Sequence, residues 1–250
     1  MAYFTYQGKQ VYYASVGAGR PCLFLHGNTA SSRMFDLLLP LYTPFLRAVT
    51  VDFLGNGRSD RVEAFPNGLW ADWGRQVIGL AQALDCGPVD LVGTSGGAYA
   101  AINAALERPN LFRRVVADSF DGGALPPGFT ERVLAERNAA KQDPQARGFY
   151  AWCQGPDWER VVDLDTQALA AYEREQISPF LAPIEQIRRP LLITVSRTDR
   201  MLAGDLAEEC RRLQKANPGI QCRIYPDGDH PLILSRAEEI AAEIRSFLKS

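Results

Sequence analysis

Short runs of apolar residues alternate with longer segments of helical spacing along most of the chain. Residues 21–26, 89–93 and 191–196 are mostly apolar, which is typical of strands buried on both faces of a sheet. Residues 69–84 place their apolar side chains on one stripe and precede a glycine and a proline, which predicts an amphipathic helix. This alternation predicts an α/β fold with a mostly parallel central sheet and helices on both of its faces.

The same alternation continues towards both ends of the chain. Two β-prone segments on either side of Gln7-Gly8-Lys9 predict an antiparallel hairpin at the N-terminus. The further strands that the pattern predicts cover residues 2–6, 10–16, 48–53, 115–117 and 222–225. The further helices that it predicts cover residues 31–41, 97–106, 203–216 and 237–248.

The alternation stops between about residues 122 and 189, where the pattern contains no convincing buried strand. Two stretches in this segment, residues 130–141 and 166–176, have helical spacing instead. Open α/β sheets bind ligands at the carboxyl ends of their strands, and an insertion at this point would cover that edge. We therefore predict a core formed by residues 1–121 and 190–250, and a helical lid formed by residues 122–189.

Four aromatic residues lie between the two predicted lid helices, namely Phe149, Tyr150, Trp152 and Trp158. Binding residues occur more often on connecting segments than on the scaffold that carries them. We therefore expect Tyr150, Trp152 and Trp158 to line a substrate pocket. In the alternative interpretation, the two helices only pack against the core and take no part in substrate binding.

The composition is that of an ordinary globular protein. The 46% of hydrophobic and 22% of charged residues exclude a disordered chain, a collagen-like repeat and a coiled coil. The 27 Lys and Arg against 29 Asp and Glu give a net charge of −2, so nucleic acid is not an expected partner, because its binding proteins normally carry a basic excess. No apolar run approaches the roughly 18 residues of a membrane span, so no membrane partner is expected either.

The cysteines are odd in number and scattered. This spacing predicts free thiols in a reducing compartment rather than a disulfide framework or a zinc site. The first residues also lack the basic and apolar regions of a secretory signal. We therefore expect a cytoplasmic protein, and the pattern predicts no particular oligomeric state. The five cysteines are Cys22, Cys86, Cys153, Cys210 and Cys222.

The sharpest local motif is Gly93-Thr94-Ser95-Gly96-Gly97, which directly follows a predicted strand and directly precedes a predicted helix. A serine exposed on a tight strand-to-helix turn needs small neighbours, because the strained backbone leaves no room for a β-carbon nearby. The motif therefore indicates Ser95 as a nucleophile. In the alternative interpretation, the glycines only permit close packing of the helix.

The chain contains two histidines, so only two residues could serve as the histidine of a serine–histidine mechanism. His26 ends the strand at residues 21–26, and His230 lies between the last predicted strand and the last predicted helix. A neutral imidazole at either position could accept the proton of Ser95. We favour His230 as the general base, because it follows the candidate acid along the chain.

The candidate acid is Asp199, three residues past the strand at residues 191–196. A carboxylate there could accept a hydrogen bond from the second nitrogen of the His230 imidazole and hold one tautomer. Asp118 and Asp121, which follow the strand at residues 115–117, are the alternatives. We favour Asp199 because its short loop lacks glycine, whereas Asp121 begins a flexible exit into the lid.

These motifs resemble those of the α/β-hydrolase-fold serine hydrolases of the esterase and lipase superfamily, and the resemblance covers nearly the whole chain. The segment 93–97 resembles the nucleophile elbow of that superfamily, and 52–59 resembles its glycine-rich turn. His26-Gly27-Asn28 resembles the loop that supplies one amide of the oxyanion hole. The resemblance implies that the backbone N–H groups of Asn28 and Gly96 bind the developing oxyanion.

Other chemistries find no support in the sequence. Gly55-x-Gly57 lacks the third glycine of a dinucleotide fingerprint, and two distant histidines do not suggest a zinc site, so neither a cofactor nor a metal is expected. The resemblance implies that a serine nucleophile disfavours the dehalogenases and epoxide hydrolases, which use aspartate. We predict hydrolysis of a small or medium carboxylic ester through an acyl-enzyme. The alternatives are a carbon–carbon hydrolase or lyase with the same residues, and a ligand-binding protein with little turnover.

Overall fold

The computed structural model describes residues 2–120 and 122–249, and these residues contain one sheet. Its strands are β1 (Ala2–Tyr6), β2 (Lys9–Val16), β3 (Pro21–Leu25), β4 (Arg47–Val51), β5 (Val89–Thr94), β6 (Phe112–Asp118), β7 (Leu191–Ser196) and β8 (Ile220–Tyr225). The spatial order is β1-β2-β4-β3-β5-β6-β7-β8. β2 runs antiparallel to both β1 and β4, and all other neighbours are parallel. The predicted fold class, with its N-terminal antiparallel hairpin, is confirmed.

The described helices lie in the connections between these strands and, for the last two, after β8. They are α1 (Leu39–Tyr42), α2 (Leu69–Leu84), α3 (Gly96–Glu107), α4 (Phe129–Ala140), α5 (Pro144–Gln154), α6 (Trp158–Arg174), α7 (Leu206–Ala216), α8 (Leu232–Ser235) and α9 (Ala237–Lys249). No helix in the described part of the chain is long and apolar enough to cross a membrane.

The continuous helix predicted for residues 31–41 is wrong. The structure has a 3-10 turn at Ser32–Phe35 and then the short helix α1, which carries Pro40 in its first turn. Proline lacks an N–H group and its ring clashes with the preceding turn, so a helix cannot run through this position without a break. The apolar residues that suggested the helix, such as Phe35 and Leu38, are nevertheless buried.

The sheet is buried on both faces, as its apolar strands predict. On β3, Leu23 and Leu25 belong to an apolar cluster with residues of α2 and α3, such as Trp73. The intervening Phe24 belongs to a second cluster with residues of α1 and α9, such as Phe247. Successive side chains of a strand point to opposite faces, so one short strand contributes to both halves of the core.

Between β6 and β7, the described residues contain no strand, and the three helices α4, α5 and α6 occupy this connection. We call them the cap helices. α5 was not predicted, although Asp143, which accepts a hydrogen bond from the Ala146 N–H, and Pro144 form a typical helix start. The apolar side of α6 packs into the core through Leu169 and Tyr172. The role of this segment as a lid remains a prediction.

Candidate active site

Ser95 lies on the sharp turn between β5 and α3, at the carboxyl edge of the sheet. Its φ of 53° and ψ of −125° are unusual for a residue with a side chain, and its N–H donates to the carbonyl of Asp118 at 2.8 Å. A Cβ added at Gly93 would lie 2.1 Å from the Gly97 carbonyl oxygen, and one added at Gly97 would lie 2.2 Å from that of Leu25. Both glycines are therefore required for the turn that presents Ser95.

The loop after β3 lies directly against this turn. A Cβ added at Gly96 would lie 2.0 Å from the Asn28 Oδ1 atom. Asn28 Oδ1 accepts a hydrogen bond from Trp70 Nε1 at 3.0 Å, and Asn28 Nδ2 donates to Asp165 Oδ2 at 2.6 Å. Because the indole only donates and the carboxylate accepts, the two contacts orient the Asn28 amide. The core and a cap helix thus hold Asn28 beside Gly96.

His230 and Asp199 form a hydrogen-bonded pair at the cavity that Ser95 also lines. His230 Nδ1 lies 2.8 Å from Asp199 Oδ2, and the Asp199 side chain is fully buried. The other carboxylate oxygen of Asp199 accepts the backbone N–H of Met201 at 2.9 Å. Ser95 and His230 line the same cavity. The structure therefore brings together the three side chains that the sequence analysis favoured.

Asp118, one of the alternative acids, has three other partners. Its carboxylate accepts hydrogen bonds from the hydroxyls of Thr94 and Thr194 at 2.7 Å each and from the N–H of Ile233 at 3.1 Å. Burial raises the pKa of Asp118, and the two threonine hydroxyls oppose this shift. Asp118 thus joins the ends of β5 and β7 to the segment that follows His230. The other alternative, Asp121, lies outside the described residues.

His26 is buried in the core and is held in one neutral form. Its Nδ1 atom lies 2.8 Å from the Gly27 carbonyl oxygen, and its Nε2 atom accepts the N–H of Phe53 at 3.1 Å. These contacts fit a ring with its proton on Nδ1 and none on Nε2. Burial lowers the pKa of His26. His26 therefore has no free nitrogen for Ser95, which supports the preference for His230.

The protonation of His26 provides a first prediction. Because the folded-state pKa of His26 is lowered from the unfolded value of about 6.5, the unfolded chain binds more protons below that pH. The stabilisation is fully present above about pH 6.5 and is lost as the pH falls towards the lower folded-state pKa. Urea unfolding of the wild type should show this loss, whereas His26→Gln should be less stable at neutral pH but less sensitive to acid. An identical acid dependence in both proteins would contradict the prediction.

The cavity beside Ser95 has a volume of about 140 Å³ and mostly apolar walls. The core supplies part of these walls, and cap helices α4 and α6 supply most of the rest. The apolar residues that form them are Trp70, Tyr99, Phe129, Val133, Leu169, Met201 and Leu202.

The three aromatic residues expected to line the pocket do not line this cavity. Tyr150 is buried and stacks on Trp158 with ring centroids 5.6 Å apart, while Trp152 is 42% exposed. They lie on or next to α5, which packs against α6 and the 3-10 turn at Ser32–Phe35 rather than over Ser95. Phe129 at the start of α4 lines the cavity instead, so the cap segment contributes to this cavity mainly through α4 and not through the three predicted aromatic residues.

Asp165 is the site residue that the sequence analysis missed. It is fully buried on α6, where it accepts from Asn28 and lies 3.5 Å from an Arg137 nitrogen. Burial raises the pKa of Asp165, and the Arg137 charge opposes this shift. A carboxylate one helical turn after Val161 and before Leu169, on an otherwise apolar stripe, was a signal that could have identified it.

The described residues contain no group of three or more His, Cys, Asp or Glu that could hold a metal ion.

The fold and the serine on the turn after β5 define the class of protein. Residues 22–243 match the Alpha/beta hydrolase family, and the chain belongs to this family. It is 37% identical to the 2-(acetamidomethylene)succinate hydrolase of Mesorhizobium japonicum over 86% of this chain and 82% of that protein. It is 25% identical to the carboxylesterase YbfK of Bacillus subtilis over 96% of this chain and 84% of that protein.

A solved structure shows the same fold. The meta-cleavage product hydrolase of Pseudomonas fluorescens superposes with a TM-score of 0.75 at 20% identity, over 97% of this chain and 95% of that one. Hydrolases with different substrates therefore share this architecture, and the reaction of this chain has to be argued from its own site.

Proposed function

We propose that the protein hydrolyses a small or medium carboxylic ester through an acyl-enzyme, with Ser95 as the nucleophile and His230 as the general base. The observation that carries this proposal is the 2.8 Å contact between His230 Nδ1 and Asp199 Oδ2, at a cavity that Ser95 and His230 both line. A carboxylate at Nδ1 keeps the proton on that nitrogen and leaves Nε2 able to accept the proton of Ser95.

The reaction then follows in two stages. The Ser95 oxygen forms a bond to the ester carbonyl carbon while its proton passes to His230. The bond to the alcohol oxygen breaks, and the alcohol leaves with the proton from His230. Water attacks the acyl-enzyme, gives a proton to His230 and releases the acid, and that proton returns to Ser95.

The backbone N–H groups of Asn28 and Gly96 are proposed to bind the oxyanion. Gly96 is the first residue of α3, and N–H groups in the first turn of a helix have no partner within it. The contacts of the Asn28 side chain with Trp70 and Asp165 hold its loop in place. Donors placed in this way each contribute roughly 3–4 kcal/mol to transition-state stabilisation.

A carboxamide is the second candidate substrate. The relative with 37% identity is named for the hydrolysis of 2-(acetamidomethylene)succinate, and this name contains an acetamido group. The same two stages would cleave a carbon–nitrogen bond, with His230 protonating the leaving nitrogen instead of an alcohol oxygen.

The test is covalent labelling combined with a substrate panel. A fluorophosphonate is expected to label Ser95 stoichiometrically, as located by mass spectrometry, and to abolish ester hydrolysis. Among p-nitrophenyl esters, short acyl chains should be hydrolysed best, because a cavity of about 140 Å³ is close in size to one that holds benzene. Matched N-acyl amides test the second candidate.

Two results would overturn the ester proposal. Turnover of ring-fission diketones without turnover of any ester would indicate a carbon–carbon hydrolase. Saturable binding of these compounds with neither labelling of Ser95 nor turnover would indicate a ligand-binding protein.

A further inference from the structure

The cavity beside Ser95 combines its apolar walls with three arginine side chains. Arg132 and Arg137 belong to α4, and Arg200 belongs to the loop after β7. Among the described residues that line the cavity, the only carboxylate is that of Glu136. The cavity lining therefore carries an excess of positive charge.

Arg137 is fixed in place but keeps one unused donor. Its terminal nitrogens contact Glu136 Oε2 at 2.5 Å and Asp165 Oδ1 at 3.5 Å. The residue is 8% exposed, and its Nε atom is buried without a hydrogen-bond partner in the described part of the chain. A guanidinium group held between two protein carboxylates is already charge-compensated, so the positive charge open to a bound molecule comes from the other two arginines.

Arg132 and Arg200 lie at the exposed side of the same cavity. Arg132 donates to the backbone carbonyl of Pro127 at 3.1 Å. Within residues 2–120 and 122–249, neither guanidinium group lies within ion-pair distance of a carboxylate. Hydrogen bonds from Thr130 lower the pKa of Glu173, and the charge of Arg132 adds to this shift from a longer distance. Both are therefore available to an anionic group that enters the cavity.

We infer that the cavity binds substrates that carry an ionised carboxylate in addition to the carbonyl group that Ser95 attacks, and that Arg132 and Arg200 bind this carboxylate. The planar guanidinium group matches the geometry of a carboxylate and forms strong charge-assisted hydrogen bonds with it. The small volume of the cavity requires that the carboxylate lies only a few bonds from the scissile carbonyl. The inference rests on the proposed function and names the substrate class of the same site.

The test compares two esters that have nearly the same shape but differ in charge. Monomethyl succinate carries a carboxylate, and methyl succinamate carries a neutral amide at the same place. The wild type should show a kcat/KM at least about tenfold higher for the carboxylate, which is the scale of a hydrogen bond to a charged group. This ratio should fall as the salt concentration rises, because Arg132 and Arg200 are exposed.

The double substitution Arg132→Gln with Arg200→Gln should bring the ratio close to one. The ratio cancels any general damage to the enzyme, since a merely structural role would affect both esters alike. Arg197→Gln is the matched control, because Arg197 is exposed in the same loop but does not line the cavity, and it should keep the wild-type ratio. A wild-type ratio near one, or a ratio that the double variant leaves unchanged, would overturn the inference.

A binding measurement separates this inference from the proposed function. Calorimetry should show that succinate binds to Ser95→Ala more tightly than the neutral succinamide, and that the two arginine substitutions remove the difference. If Ser95 is not labelled and neither ester is hydrolysed, but succinate binds in this way, the ester proposal fails and the carboxylate site stands. Tighter binding of inorganic phosphate than of succinate would overturn the assignment to a carboxylate.

Discussion

Ser95→Ala is expected to lower kcat for ester hydrolysis by about 10⁴-fold or more, because the substitution removes the oxygen that forms the acyl-enzyme. The fold should be unaffected. Alanine keeps the β-carbon that Ser95 already accommodates at a φ of 53°, so the turn after β5 gains no new strain. Steady-state kinetics with the best ester of the panel, together with thermal unfolding, would measure both effects.

A neighbouring serine provides the comparison for this result. Ser119 lines the same cavity, has a φ of 52°, and accepts the N–H of Leu232 through its hydroxyl oxygen at 2.7 Å. It is the other serine among the described residues that line the cavity. Retention of most activity in folded Ser95→Ala, alongside its loss in Ser119→Ala, would move the nucleophile from the end of β5 to the end of β6.

Asp199→Asn is the second large expected effect, with a decrease in kcat of about 10⁴-fold, the scale seen when the acid of such a triad becomes neutral. The physical reason lies in the 2.8 Å contact with His230 Nδ1. An uncharged amide no longer stabilises the imidazolium that forms during proton transfer, and it can hold the imidazole in the wrong tautomer. Stopped-flow measurement of acylation would isolate the step that is affected.

Asp118→Asn is the matched comparison, and its effect should be of a different kind. Three donors point at the Asp118 carboxylate, and an amide NH₂ group in its place would face at least one of them. A buried mismatch of this type costs about 1–3 kcal/mol, so chemical denaturation should show lower stability. Normal kcat in Asp199→Asn together with a catalytic loss in stable Asp118→Asn would transfer the role of the acid to Asp118.

The positions of most core strands and helices along the chain could be predicted, because the residue patterns that indicate them are local. The continuous apolar run of β5 indicates a strand that is buried on both faces, and the apolar stripe of α2 indicates a helix that is buried on one face. Neither pattern depends on residues elsewhere in the chain. Local signals were less informative where several effects compete. In residues 31–41, the helical spacing of apolar residues was correct for burial, but Pro40 broke the helix.

The sequence by itself indicated where Ser95 lies, because a sharp strand-to-helix turn requires small residues on both sides of the serine, and Ser95 has them between a predicted strand and a predicted helix. It also placed Asp199 and His230 after two predicted strands, and the carboxyl ends of parallel strands meet at one edge of a sheet. The tertiary structure decided which carboxylate faces His230, that Asp165 holds Asn28, and that α4 rather than the aromatic residues of α5 lines the cavity. These contacts depend on how helices far apart in the sequence are oriented and packed against the sheet. Hydrophobic periodicity predicts which face of a helix is buried, but it does not predict which other element packs against that face.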